Sequence, residues 1–135
     1  MSTHRTRSEA ETVRLARELA ARLAPGAVVL LYGNLGAGKT AFVRGLAEGL
    51  GASPDEVTSP TFTLIQEYAG PTRLFHVDLY RLTPAETDDL GLDELMAGDG
   101  VVAIEWADRL PRPIEGAISV RIDGEGETRT VRITD

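Results

Sequence analysis

Gly33-Asn34-Leu35-Gly36-Ala37-Gly38-Lys39-Thr40 decides how the rest of the chain is read. The stretch meets every defined position of the phosphate-binding pattern G-x-x-x-x-G-K-[ST]. Its surroundings agree with it. Ala27 to Tyr32 is an almost unbroken apolar run ahead of the loop and predicts a buried strand. Phe42, Val43, Leu46 and Leu50 follow at helical spacing. Strand, glycine loop and helix together let backbone N–H groups and a helix N-terminus face an anion. Gly33 to Thr40 are therefore the candidate phosphate-binding residues. In that pattern Lys39 reaches the β- and γ-phosphates and the Thr40 hydroxyl meets Mg²⁺. Lys39 is also the only lysine of the chain, all thirteen other basic residues being arginine. A compact ammonium fits a phosphate cradle in a way that a planar guanidinium does not.

Composition narrows the function classes. A chain of 135 residues has the size of one domain, taken as 1–135, with enough length for a core. No cysteine means no disulfide or thiolate metal site, and two histidines are too few for a histidine-rich one. No apolar run approaches the roughly 20 residues of a membrane span, and Met1 to Arg7 lack a signal-peptide core. The expectation is a cytoplasmic protein. A net charge of −7, with no arginine-rich run, argues against unaided nucleic-acid binding.

Outward from the loop, the chain alternates helical and extended patterns and so reads as α/β. Residues 1–7 are expected to be a flexible tail. Ser8-x-x-Glu11 is a capping-box signature, opening a helix that carries Val13, Ala16, Leu19, Ala20 and Leu23 and stops at Pro25-Gly26. Gly49 and Gly51 close the helix after the loop, and Ser53 to Glu56 reads as a connection. Thr63 to Tyr68 and Arg73 to Tyr80, around the turn residues Ala69 to Thr72, predict an antiparallel hairpin. Thr83-Pro84-Ala85-Glu86 predicts a capped short helix, and Leu92 to Met96 another. Val101 to Glu105 reads as a central parallel strand, and Ile118 to Ile133 as a C-terminal hairpin.

A phosphate loop needs a carboxylate at a neighbouring strand end to hold Mg²⁺ or its waters. Glu105 ends the more apolar strand and is the first candidate; Asp78 ends the less uniform one. His76 by itself reads as a packed or surface histidine. Trp106 follows Glu105 and falls near the same place.

Four elements in order, Gly33–Thr40, Ser59-Pro60-Thr61-Phe62, His76-x-Asp78-x-Tyr80-Arg81 and Glu105-Trp106, resemble the TsaE family. These are small bacterial ATPases of tRNA threonylcarbamoyladenosine biosynthesis. The resemblance spans residues 8 to 133 and shows no departure from the motifs. It implies a three-layer phosphate-loop NTPase-like fold, its central sheet mostly parallel with antiparallel hairpins added. It implies ATP and Mg²⁺, with Thr40 and Glu105 at the metal, Asp78 near the γ-phosphate or attacking water, and Lys39, Asp78 and Glu105 as the catalytic set. Thr61 would contact nucleotide from a switch segment. Glu9 and Arg129 are the candidates for the adenine end. The implied partners are TsaB and TsaD, through which tRNA would be met. The alternative is a small-molecule kinase on the same loop, although the chain has no long insertion to supply a lid. A switch GTPase is disfavoured, since its Asn-Lys-x-Asp element needs a second lysine.

Overall fold

The structure, a computed structural model, describes residues 1–33, 38–54 and 65–134, the side chains of Pro54 and Glu125 excepted. Asn34, Leu35, Gly36, Ala37 and the Ser59–Phe62 segment with Thr61 lie outside the described residues.

The strands are β1 (Ser2–Thr6), β2 (Val28–Tyr32), β3 (Ser53–Pro54), β4 (Ile65–Ala69), β5 (Leu74–Asp78), β6 (Val101–Glu105), β7 (Ile118–Glu125) and β8 (Thr128–Thr134). The helices are α1 (Glu9–Ala20), α2 (Lys39–Gly49), α3 (Pro84–Asp88) and α4 (Leu92–Met96), with a 3-10 turn at Ala107–Arg109. All the described strands form a single sheet in the order β1-β8-β7-β2-β6-β5-β4-β3. Its centre, β7-β2-β6-β5, is parallel. Its two margins are antiparallel: β8 and β1 on one side, β4 and β3 on the other. No helix among the described residues is long and apolar enough to cross a membrane.

The central strands are apolar at every position because both faces are covered. Val29 and Leu31 of β2 join α1 and α2 in one core, with Val101 and Ala103 of β6. Val28 and Leu30 face the other way, into a core with Val102, Ile104, Leu79, Leu92 and Ala107. A period of two thus sorts one strand into two layers of packing, which gives the three layers expected from the resemblance.

Two expectations are corrected. Residues 1–7 are not a flexible tail: Ser2–Thr6 pairs with β8, Thr6 opposite Arg129 and Ser2 opposite Ile133. The segment has no apolar alternation to announce a strand. It forms one because the outer edge of β8 offers unpaired backbone donors and acceptors, which an extended chain satisfies. The buried Thr6 hydroxyl adds a hydrogen bond to Thr12 of α1 at 2.7 Å. Likewise Ser53-Pro54 is a short edge strand beside β4 rather than a plain connection.

The α1 cap is also more particular than a capping box. Ser8 Oγ accepts from Glu11 N, but the Glu11 carboxylate reaches Arg7 N, one residue before the cap. At Thr83 both halves of the box form, with Glu86.

Candidate functional site

Two features position the first residues of α2. Gly38, the N-cap, has φ of 102°, a left-handed conformation that a side chain would strain. Its carbonyl accepts from Phe42 N at 3.0 Å, so helical bonding begins at once. The helix is then held against α1 by small residues. A Cβ at Gly45 would lie 2.3 Å from the Val13 carbonyl oxygen, and one at Gly49 2.6 Å from Ala20 Cβ. Lys39 and Thr40 therefore begin a helix with little room to shift.

Sheet register brings the acids to them. Leu74 of β5 and Ala103 of β6 belong to the α1–α2 core. By alternation His76 and Asp78 share the face of Leu74, and Glu105 shares that of Ala103. Asp78 and Glu105 are direct partners in the parallel ladder. One cleft of about 600 Å³ is lined by Gly38, Lys39, Thr40, Asp78, Glu105, Glu9 and Arg129, along with Ser8, Thr12, Arg44, Tyr80, Trp106 and Gly126. Every described candidate residue lines that cleft except Gly33, which touches it through Lys39: Nζ donates to the Gly33 carbonyl at 2.7 Å.

Lys39 is 4% exposed. Burial pushes its ammonium below the ordinary lysine value, while Glu105, Asp78 and Asp108 pull in the opposite direction. Its Nζ also lies 3.7 Å from the centroid of the Trp106 ring. Trp106 is the one described residue other than glycine with positive φ, 58°. Such a conformation costs on the order of 1–2 kcal/mol and holds where surrounding contacts over-determine it. Here those contacts are Lys39 and the Tyr80 ring, whose centroid is 4.9 Å away. The indole lines the cleft.

Glu105 is 5% exposed, and its carboxylate is hydrogen-bonded to His76 Nε2. Asp78 is held differently: Oδ1 accepts from Tyr80 N at 3.0 Å. Glu9 pairs with Arg44 across the mouth, and Arg129 donates to the carbonyls of Gly126 and Thr128. Sequence reasoning missed His76 as a partner of Glu105. The shared signal was the His-x-Asp spacing, which puts both side chains on one face of a strand. Arg44 carried no signal beyond its place on α2.

A strand leading into the Gly33–Thr40 sequence pattern, a helix begun by Lys-Thr, and strand-end carboxylates beside them define a phosphate-loop α/β protein of the NTPase type. Comparison with known proteins narrows this. Residues 6–132 match the profile of a family described as threonylcarbamoyl adenosine biosynthesis protein TsaE. The chain belongs to the TsaE family. It is 51% identical over 104 residues to the TsaE of Bacillus subtilis, covering 76% of this chain and 65% of that protein, a little under two thirds of its length. It is 43% identical over 125 residues to that of Treponema pallidum, covering 90% and 92%. The crystal structure of Bacillus subtilis YdiB superposes with a TM-score of 0.75 at 38% identity, covering 96% of this chain and 82% of that one.

Proposed function

We propose that the cleft binds ATP with Mg²⁺ and hydrolyses it in support of tRNA threonylcarbamoyladenosine formation, acting with a TsaB–TsaD complex. The observation that carries this reading is the chain's single lysine, buried at the head of α2 among Asp78, Glu105 and Trp106. A buried ammonium is costly unless charge meets it; the phosphates of a nucleotide would do so, and Lys39 would then exchange the Gly33 carbonyl for them. The donor set beside it is all oxygen, which suits Mg²⁺. Thr40 and Glu105 would hold the metal, which when bound neutralises charge on the β- and γ-oxygens.

The remaining work falls to the chain's own groups. With Oδ1 tied to Tyr80 N, Asp78 would use Oδ2 to accept from the attacking water. Tyr80 and Trp106 supply apolar cover on one side. Tyr80 is nevertheless 43% exposed, so the cover is incomplete. Fast phosphoryl transfer needs a dry site and often an arginine finger, worth roughly 10³–10⁵ in rate. Glu9 and Arg129 also line the cleft and would be the candidates for contacts to the adenine end.

The reading predicts slow hydrolysis alone and faster hydrolysis with partners, which would complete the cover. Phosphate release at saturating Mg-ATP, with and without TsaB–TsaD, tests it. A rate already high alone and unmoved by the partners would count against it; ATP use only with an added small acceptor would indicate a kinase. Within the site, Glu105→Ala should weaken Mg²⁺-dependent binding, whereas Asp78→Ala should keep binding and lose turnover. The opposite pattern would exchange the two roles.

A further inference from the structure

Glu105 is a buried carboxylate at the end of a central strand, its side chain 6% exposed. Such a group needs a donor. Lys39 is near, but its Nζ is engaged by the Gly33 carbonyl and the Trp106 ring. Among the described residues, His76 is the side chain hydrogen-bonded to Glu105, through Nε2 to Oε2. His76 is itself largely buried, 13% exposed, and lies one strand over, in register with Ala103. Its backbone is fixed on both sides, by β6 and, opposite Gln66, by β4. The imidazole is thus a donor mounted on rigid strands and aimed at one carboxylate oxygen.

We infer that His76 is a positioning residue that fixes the Glu105 carboxylate for the metal of the bound nucleotide. The inference rests on the Mg-ATP reading above. Held through Oε2, Glu105 keeps Oε1 for the metal or one of its waters. Without that hydrogen bond the buried carboxylate is left to swing toward the Lys39 ammonium, which takes it away from the metal and occupies the lysine meant for phosphate. Ligating carboxylates are commonly oriented by such a partner, and loss of the partner costs about 10–100-fold in metal affinity or activity.

The test uses His76→Ala, His76→Gln, Glu105→Gln and the double variant His76→Ala/Glu105→Gln. The glutamine amide can donate from near the position of Nε2, whereas alanine cannot. In His76→Ala the Mg²⁺ concentration giving half-maximal phosphate release should rise about tenfold or more, and His76→Gln should recover most of that loss. In the Glu105→Gln background the His76→Ala effect should vanish, since its target is gone. Ligand-free protein supplies an independent readout. With two histidines in the chain, proton–nitrogen correlation spectra of the imidazoles should show His76 carrying its proton on Nε2, with that signal moved by Glu105→Gln. A His76→Ala protein with Mg²⁺ dependence within twofold of wild type overturns the inference; so do equal losses in the alanine and glutamine variants, or an effect that persists in full beside Glu105→Gln. If His76→Ala fails to fold, the glutamine variant and the spectra decide. Wild-type protein that shows no Mg²⁺-dependent use of ATP would instead sink the functional reading, leaving the His76–Glu105 contact to be judged from the spectra.

Discussion

The two faces of the sheet are built to different tolerances. On one, α1 and α2 run for 12 and 11 residues and meet through glycine and alanine. A Cβ on Gly45 would have to enter the Val13 backbone and the Ala16 methyl. On the other, α3 and α4 have five residues each, joined at Gly91, and depend on caps and on Leu92. That face also leaves two buried polar atoms, Thr87 Oγ1 and Arg109 Nε, without a hydrogen-bond partner among the described residues. The close-packed face is the one that ends in Lys39 and Thr40. Precision is spent where a sub-ångström shift of a helix start would move the groups that meet phosphate, and the slack lies where no described candidate residue sits.

The contrast can be broken most directly at Gly45. Gly45→Leu should destabilise the protein by about 3 kcal/mol or more, because its neighbour is backbone and cannot turn aside. Urea denaturation would read this, and a loss below 1 kcal/mol would mean the α1–α2 seam has room after all. Next in size is Lys39→Ala. Wild type at ATP a hundredfold above Kd should gain about 2.7 kcal/mol of stability by mass action. The variant should gain almost none relative to its own ligand-free melt. Equal ATP-induced shifts in both proteins would detach the lysine from nucleotide binding.

On the loose face the expected sign reverses. Thr87→Val removes a hydroxyl that is buried without a partner among the described residues, in a residue 1% exposed, and keeps its shape. Stability should rise by about 1 kcal/mol, as relief of an unsatisfied group allows, with phosphate release unchanged. A lowered urea midpoint would show that the hydroxyl has a partner in solution.

The smallest effect concerns pH. Burial lowers the Lys39 pKa in the folded protein from an ordinary value of 10.5. Between the folded and unfolded values the unfolded chain binds more protons, so folding is favoured as pH rises through that window. Ligand-free wild type should therefore gain stability relative to Lys39→Met as pH climbs toward 10.5. A drift in the opposite direction would mean that Glu105, Asp78 and Asp108 outweigh burial around the ammonium.

Much of this arrangement was legible along the chain. The loop pattern, its apolar strand and its helix stand within 24 consecutive residues, 27–50, and local periodicity suffices to read them. Asp78 and Glu105 could be picked because each closes a β-rich run, and the order of four short elements pointed to the family. Both hairpins and the Thr83 cap likewise carry their own signals. Periodicity reports which side of a segment is buried, and in what conformation. It does not report which segments become neighbours. Ser2–Thr6 is a strand only because β8 presents an edge to it. His76 meets Glu105, 29 residues away, only because β5 and β6 lie parallel in one particular register. Trp106, on a left-handed backbone, meets Lys39 and the Tyr80 ring only because three separate segments converge there. The chemistry of the site was thus written in residue types and spacing, while the geometry that tunes it came from contacts between distant segments, which exist only once the sheet has closed.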